Sequence, residues 1–297
     1  MNPEPDILCI GSVLWDVIGR SASVMRQGSD VPGRITRLPG GVAMNIAMAS
    51  ARFGLKPALL TAIGRDAEGD ELVETCAFLG MVMGYIYRSD DLPTDRYMAV
   101  EGANGLIAAI ADAHSLEAAG DKILRPLLNG PLGTDTNPYQ GRIALDGNLT
   151  RQQLEFIATS PSFGMADLRV APASPGKAER LMPFLNHNRA MLYVNLEEAG
   201  LLCQNTFSDA PNAAESLIKK GAHRVIVTDG GNPAAESSDL GTITGTPPEV
   251  LVTRVTGAGD TFMAAHIAAE ASGEDRQQSL DHALRAAARY VSGDNAL

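Results

Sequence analysis

Cysteine is scarce in this sequence: Cys9, Cys76 and Cys203 are the only three, and their spacing fits neither a metal-ligand motif nor an even disulfide framework. They read as small buried apolar residues in a reducing compartment. Positive charge is in the minority, with 24 Lys and Arg against 35 Asp and Glu and a net charge of -11. No basic cluster is long enough to track a nucleic-acid backbone, which argues against a polymeric nucleic acid as partner. Acidity does not exclude a phosphate-bearing ligand, because backbone amides at a helix start hold one without any basic side chain. Long apolar runs are missing too. The first, Ile7 to Ile10, follows an acidic, proline-bearing start and is far shorter than a signal-peptide core or a membrane span, so no membrane partner is expected and the cytoplasm is the expected location. The sequence has no Gly-x-x-x-x-Gly-Lys-Ser/Thr loop and no Gly-x-Gly-x-x-Gly after the first apolar run, which excludes the common P-loop and makes a dinucleotide oxidoreductase remote.

What is present is an alternation of apolar runs and helical periodicity. Ile7 to Ile10 ends in Gly11-Ser12, and a helical pattern runs from Met44 to Phe53 before Gly54. Ala58 to Ile63 is followed by a helical stretch from Glu68 to Leu79, closed by Gly80. The pattern returns at Arg142 to Leu145 with a helix from Arg151, at Met191 to Val194 with a helix from Leu196, and at Arg224 to Thr228 before Asp229-Gly230-Gly231. Such alternation predicts an α/β fold with a central, mostly parallel sheet flanked by helices. Two stretches, Val17 to Leu38 and Tyr85 to Ala111, alternate polar and apolar residues instead, and predict a small β-sheet lid inserted into the one domain, residues 1–297. A lid belongs over a cleft at the carboxyl ends of the parallel strands, where such folds bind ligands. Thr256 to Gly273 and Glu274 to Val291 read as two alanine-rich helices.

Two segments carry chemistry. In Thr256-Gly257-Ala258-Gly259-Asp260, small residues separate a β-branched run from a helix. A helix starting near Gly257 would point the free amides of Gly257, Ala258 and Gly259 outward at the positive end of its dipole, making an anion site. Asp260 beside that anion is placed to take a proton from an attacking hydroxyl, the arrangement of phosphoryl transfer; the plain alternative is a helix start capped by Asp260. In Pro39-Gly40-Gly41-Val42-Ala43-Met44-Asn45, the glycine pair lets a flat polar ligand lie against the backbone, and Asn45 both donates to and accepts from hydroxyls. The plain alternative there is a loop-to-helix turn satisfied by Asn45.

Together, and in this order about two hundred residues apart, these segments resemble the paired signatures of the ribokinase-like (PfkB) family of carbohydrate and nucleoside kinases. The resemblance spans essentially the whole chain. It implies a ribokinase-like fold and transfer of the γ-phosphate of ATP to a hydroxyl of a small nucleoside or sugar. By the same resemblance Gly40, Gly41 and Asn45 bind the phosphoryl acceptor, and Asp16 grips its hydroxyls from just after the first strand. Thr256, Gly257, Ala258 and Gly259 form the anion hole, and Asp260 is the catalytic base. Asn195-Leu196-Glu197-Glu198 matches the family's Asn-x-x-Glu motif, which implies that Asn195 and Glu198 order Mg²⁺ through water. Thr228 and Gly230 stand at its nucleotide-binding strand end.

A finer likeness points to the subgroup acting on pseudouridine. It rests on Pro32-Gly33-Arg34-Ile35, on Thr94-Asp95-Arg96-Tyr97 (which adds Thr94 and Tyr97 to the acceptor side), on Asp146-Gly147-Asn148-Leu149-Thr150, and on Val170 to Ser174 with Lys177. The resemblance also implies a homodimer formed through the lid. Rival readings are a kinase for ribose, adenosine or a ketose, and a catalytically silent nucleoside or nucleotide binder. The departures are Ala43 for a glycine, Ala171 for an aspartate, a missing Lys-Pro before Asn195, and Arg254 where many members carry an aspartate that helps bind a monovalent cation. The last counts against potassium activation.

Overall fold

Ile7–Ile10 is buried at every residue, pairing in parallel with Pro57–Leu60 on one side and Arg142–Asp146 on the other. A strand covered on both faces has to be apolar throughout, which is why this run shows no alternation. Leu8 and Ile10 enter one core layer, while Ile7 and Cys9 enter the layer on the opposite face. The structure, a computed structural model, describes residues 4–293. Its main sheet has eight strands in the order Gly241–Gly245, Asn232–Ser238, Arg224–Asp229, Ala190–Asn195, Asp167–Ala171, Arg142–Asp146, Ile7–Ile10 and Pro57–Leu60. The last six run parallel; the first two add an antiparallel edge. The chain order reverses between Ile7–Ile10 and Arg142–Asp146, and that switch point opens a crevice at the carboxyl ends of the strands.

Helices cover both faces. Val42–Arg52, Ala67–Phe78, Ala258–Ala271 and Arg276–Ser292 build one layer, and Arg151–Thr159, Leu196–Cys203 and Ala210–Lys219 the other. The alanines of Ala258–Ala271 have a reason: this helix packs between Val42–Arg52 and Arg276–Ser292, and small side chains let three helices approach closely.

A buried charge cluster ties the same helix to the sheet. Glu270 accepts from Arg169 Nη1 at 2.5 Å and from Arg224 Nη2 at 2.6 Å. Glu236 meets Arg224 at 2.8 Å and Arg276 at 2.7 Å. Buried charges persist only when paired in this way. The Tyr193 hydroxyl lies 2.9 Å from His266 Nδ1 and takes a hydrogen bond from Arg169 at 3.1 Å. The helix that begins at the Gly257-Gly259 segment is thus fixed along its length.

A separate four-stranded sheet forms in the order Arg34–Gly40, Leu14–Arg20, Arg96–Gly102 and Gly105–Asp112. It gathers the two alternating stretches, with one difference. Tyr87–Ser89 leaves this sheet and pairs with Ala62–Gly64 instead, so the second stretch joins only from Arg96. Gly105–Asp112 is exposed at all eight positions. Cys9 and Cys76 are buried, Cys203 is half-buried, and all three are free thiols.

Candidate active site

The first turn of each signature helix is set by a glycine that no other residue replaces without strain. Gly41 has φ +97°, and a Cβ there would lie 2.4 Å from the Ser12 carbonyl oxygen. Gly257 has φ +86°, and a Cβ there would lie 2.5 Å from the Tyr290 hydroxyl. From these starts the helices Val42–Arg52 and Ala258–Ala271 bring Asn45 and Asp260 together, and Asn45 Nδ2 donates to Asp260 Oδ2 at 2.9 Å.

Burial pushes the Asp260 carboxyl up to about 7; the Asn45 bond pulls against this shift and the negative charge of Asp146 adds to it. A carboxylate that titrates near neutrality is matched to proton exchange with a hydroxyl. Beside it, among the described residues, the amides of Gly257, Gly259 and Asp260 donate to no protein acceptor. Ala258 departs from the sequence expectation: its amide donates to the Val255 carbonyl at 3.0 Å, because the turn that delivers the chain to the helix closes on that bond. The open donors are therefore Gly257, Gly259 and the amide of Asp260 itself, at the positive end of a fourteen-residue helix. A Cβ on Gly259 would meet nothing within 4 Å, so its backbone faces open space.

These open amides border a cleft of about 620 Å³ whose lining includes Asn45, Asn195, Glu198, Thr228, Gly230, Thr256 and the run Gly257 to Asp260. Asn195 and Thr228 are register partners on adjacent parallel strands, which sets them side by side. Asn195 and Glu198 form a capping box: Asn195 Oδ1 accepts from the Glu198 amide at 2.9 Å, and Glu198 Oε2 accepts from the Asn195 amide at 2.8 Å. The second Glu198 oxygen, Oε1, and the side-chain nitrogen of Asn195, Nδ2, have no partner among the described residues. Burial raises the Glu198 carboxyl to about 6. A desolvated carboxylate of this kind suits a divalent cation that keeps most of its water, as Mg²⁺ does. No group of three or more His, Cys, Asp or Glu among the described residues forms an all-protein metal cage.

Of the residues that the resemblance assigns to the acceptor, Asn45 is in that lining, and Asp16, Gly40, Gly41, Thr94 and Tyr97 are not. Asp16, half-buried and pushed up to about 6 by burial, accepts no hydrogen bond from any described residue. Its carboxylate sits against Gly40, where a Cβ would come 2.0 Å from Oδ2; the glycine pair is what gives this side chain room. Tyr97 is the register partner of Asp16 on the neighbouring strand, so both side chains share one face of the small sheet. Thr94 stands elsewhere. It is buried, its hydroxyl donates to Asp66 Oδ1 at 2.6 Å and its amide to Asp66 Oδ2 at 2.8 Å. Because Asp66 caps the helix Ala67–Phe78, Thr94 fastens a loop to that helix in this structure, and it is not among the residues that line the cleft.

Sequence reasoning missed the brace beneath the acceptor side. Asp146, fully buried at the end of its strand, accepts from the Ser12 amide at 2.8 Å, the Ser12 hydroxyl at 2.5 Å and the Asn148 amide at 2.7 Å. The Ser12 hydroxyl in turn accepts from the Val42 amide at 3.0 Å, one turn before Asn45. Lys177 closes the chain by donating to Asn148 Oδ1. The available signal was an acid ending an apolar strand, at Leu145-Asp146, where only a paired carboxylate is tolerated in the core.

The chain spans 59% of the length of an uncharacterized sugar kinase of Escherichia coli (strain K12), with 29% identity over 73% of the chain. It is 27% identical to the pseudouridine kinase of the same organism over 89% of this chain and 83% of that one. It is 26% identical to the guanosine-inosine kinase of Exiguobacterium acetylicum over 96% of this chain and 94% of that one. Among solved structures, a carbohydrate kinase from Agrobacterium tumefaciens superposes with a TM-score of 0.82 at 24% identity, covering 99% of this chain and 92% of that one. The Arabidopsis thaliana ribokinase complexed with ribose and ATP gives 0.75 at 18% identity, covering 97% and 92%; these two likenesses speak for the fold. The model of the pfkB family carbohydrate kinases matches residues 4–296, and the chain belongs to that family.

Proposed function

We propose that the protein transfers the γ-phosphoryl group of ATP to a hydroxyl of a nucleoside or sugar, with Asp260 as the base. The observation that carries this reading is the 2.9 Å bond from Asn45 to Asp260. It joins the acceptor signature to the anion-hole signature at the point where a hydroxyl would stand between a proton acceptor and three open amides.

Asp16 and Asn45 hold acceptor hydroxyls, and the carboxylate of Asp260 takes the proton of the reacting one. The new bond forms from that oxygen to the γ-phosphorus while the bond to the β–γ bridging oxygen breaks, leaving ADP. The transition state is loose, so alignment and charge stabilisation by the amides of Gly257, Gly259 and Asp260 supply most of the acceleration. Thr228, Gly230 and Thr256 line the nucleotide side. Asn195 and Glu198 are the residues that would hold Mg²⁺ through water, and the bound ion would neutralise charge on the phosphate oxygens. The small sheet, bearing Asp16 and Tyr97 on one face, is read as the lid that keeps water from the phosphoryl group.

The acceptor proposed is pseudouridine. The support is the likeness to pseudouridine kinases of Escherichia coli and Arabidopsis thaliana, together with Asn148 and Lys177, which meet next to Ser12. Both come from the stretches that carry the finer resemblance. Polar groups left unpaired by the wrong acceptor discriminate far better than an apolar pocket.

The lid is also read as the dimer contact. Its other face exposes Ile35 at 78%, Ile110 at 61% and Met98 at 46% beside an uncovered edge strand, a surface that natural sheets cover. A second copy of this chain is the proposed cover, and the cytoplasm the proposed location.

Three outcomes are expected. Asp260→Asn keeps its fold and its ATP affinity and loses about two to four orders of magnitude in kcat; near-normal turnover by that variant would remove Asp260 from the chemistry. In a panel of pseudouridine, uridine, adenosine, ribose and fructose, coupled ADP release gives the highest kcat/KM with pseudouridine; equal or better efficiency with ribose would leave the kinase and sink the acceptor. Sedimentation finds a dimer that Ile110→Lys converts to monomer, and a wild-type chain that stays monomeric at high concentration rules out the dimer alone.

A further inference from the structure

Arg254 lies three residues ahead of Gly257, and the structure shows what it does there. Its guanidinium centre stacks 3.8 Å over the Tyr290 ring, and its Nε donates to the Tyr290 carbonyl at 2.8 Å. The Arg254 amide donates to the Val291 carbonyl at 3.2 Å. The amide and hydroxyl of Thr253 reach the same Val291 carbonyl at 2.8 and 3.1 Å. In the opposite direction the Tyr290 hydroxyl donates to the Thr256 carbonyl at 2.8 Å and occupies the space a Cβ on Gly257 would need. The last turn of the carboxyl-terminal helix and the turn that presents the anion-hole amides are therefore one clasped unit.

The chemistry of this donor set does not fit a monovalent cation. Such an ion is held by several backbone carbonyls, with a carboxylate helping, and here the carbonyls of Thr256, Tyr290 and Val291 already accept from protein donors. Among the described residues, the charged side chain against these carbonyls is the Arg254 guanidinium, and it stands where the cation site would need a carboxylate. We propose that Arg254, through Tyr290, is a positioning residue that orders the Thr256 to Gly259 turn with a charge built into the chain, so that the anion hole needs no monovalent cation. Arginine suits this because its planar, permanently charged head stacks and donates at once, while lysine offers a single mobile point charge. Val255, exposed at 71%, and Thr256 line the cleft beside this unit, so an unclasped turn would misplace the amides of Gly257 and Gly259.

The inference rests on the kinase reading, and its test separates the two. Thermal stabilisation by MgADP is measured in chloride salts of potassium, sodium and tetramethylammonium at equal ionic strength, a readout that needs no acceptor. The shift is expected to be the same in all three for the wild type. Arg254→Ala is expected to bind MgADP at least five-fold more weakly, with faster amide exchange confined to residues 254–259, and Arg254→Lys is expected to recover little of this. Tyr290→Phe keeps the ring under Arg254 and removes only the hydroxyl; it should fold with a melting point close to wild type. In turnover assays it should lose about ten-fold in kcat with little change in the acceptor KM. A potassium-specific gain in MgADP stabilisation of the wild type overturns the proposal, as does Arg254→Ala or Tyr290→Phe with unaltered nucleotide binding, exchange and kcat. If MgADP stabilises none of the proteins in any salt, the kinase reading fails, and the clasp with it.

Discussion

The hydrogen bond between Asn45 and Asp260 spans 215 residues of sequence, and the rest of the site is arranged so that it forms. It requires two helices to begin at the same crevice. One begins at Gly41, whose approach to the Ser12 carbonyl is possible only without a side chain; the other begins at Gly257, pressed against Tyr290. Beneath the first lies the Asp146–Ser12 brace; the second helix is held at its start by the Tyr290 hydroxyl on the Thr256 carbonyl and at its far end by the buried ion pairs of Glu270 with Arg169 and Arg224. Neither helix start is free to drift. A loose active site loses rate faster than it loses stability, since misplacement of reacting groups by an ångström costs orders of magnitude.

The electrostatics of the crevice follow from burial. Asp16 and Glu198 are raised to about 6 and Asp260 to about 7, each mainly by desolvation. Two of them, Glu198 and Asp260, line the same cleft, and acids pushed the same way in one cleft mark a functional site more reliably than either does alone. They also bear on the net charge of -11, which does not argue against the proposed polyanionic ligand. In the proposed reaction the phosphoryl group would meet backbone amides at a helix start, and the raised acids of the cleft are ones whose charge is readily neutralised by a proton or a cation.

Much of this was legible in the sequence because it is local. Helices expected at Glu68 to Leu79, from Arg151 and from Leu196 lie at Ala67–Phe78, Arg151–Thr159 and Leu196–Cys203, since their caps and periodicity are written within one segment. Gly41 and Gly257 are legible for the same reason: only a glycine meets their φ angles and contacts. What was not legible depends on sheet order. Asp146 meets Ser12 because Arg142–Asp146 is the neighbour of Ile7–Ile10, and no periodicity reports that pairing. Thr94 shows the converse, a residue placed near the acceptor by resemblance and found fastened to Asp66. The Arg254–Tyr290 clasp was half visible: the substitution could be read, but not that the arginine turns onto the last helix.

The account stands or falls on Asp260 acting as a base from a desolvated site, and the pH dependence of kcat/KM for the acceptor measures that directly. A base must be deprotonated to act, and its folded-state pKa lies near 7. The logarithm of kcat/KM should therefore rise with pH from 5 and level off above an apparent pKa near 7, and this acid limb should disappear in the residual activity of Asp260→Asn. A wild-type profile that is flat across this range, or an acid limb that survives unchanged in Asp260→Asn, would contradict it.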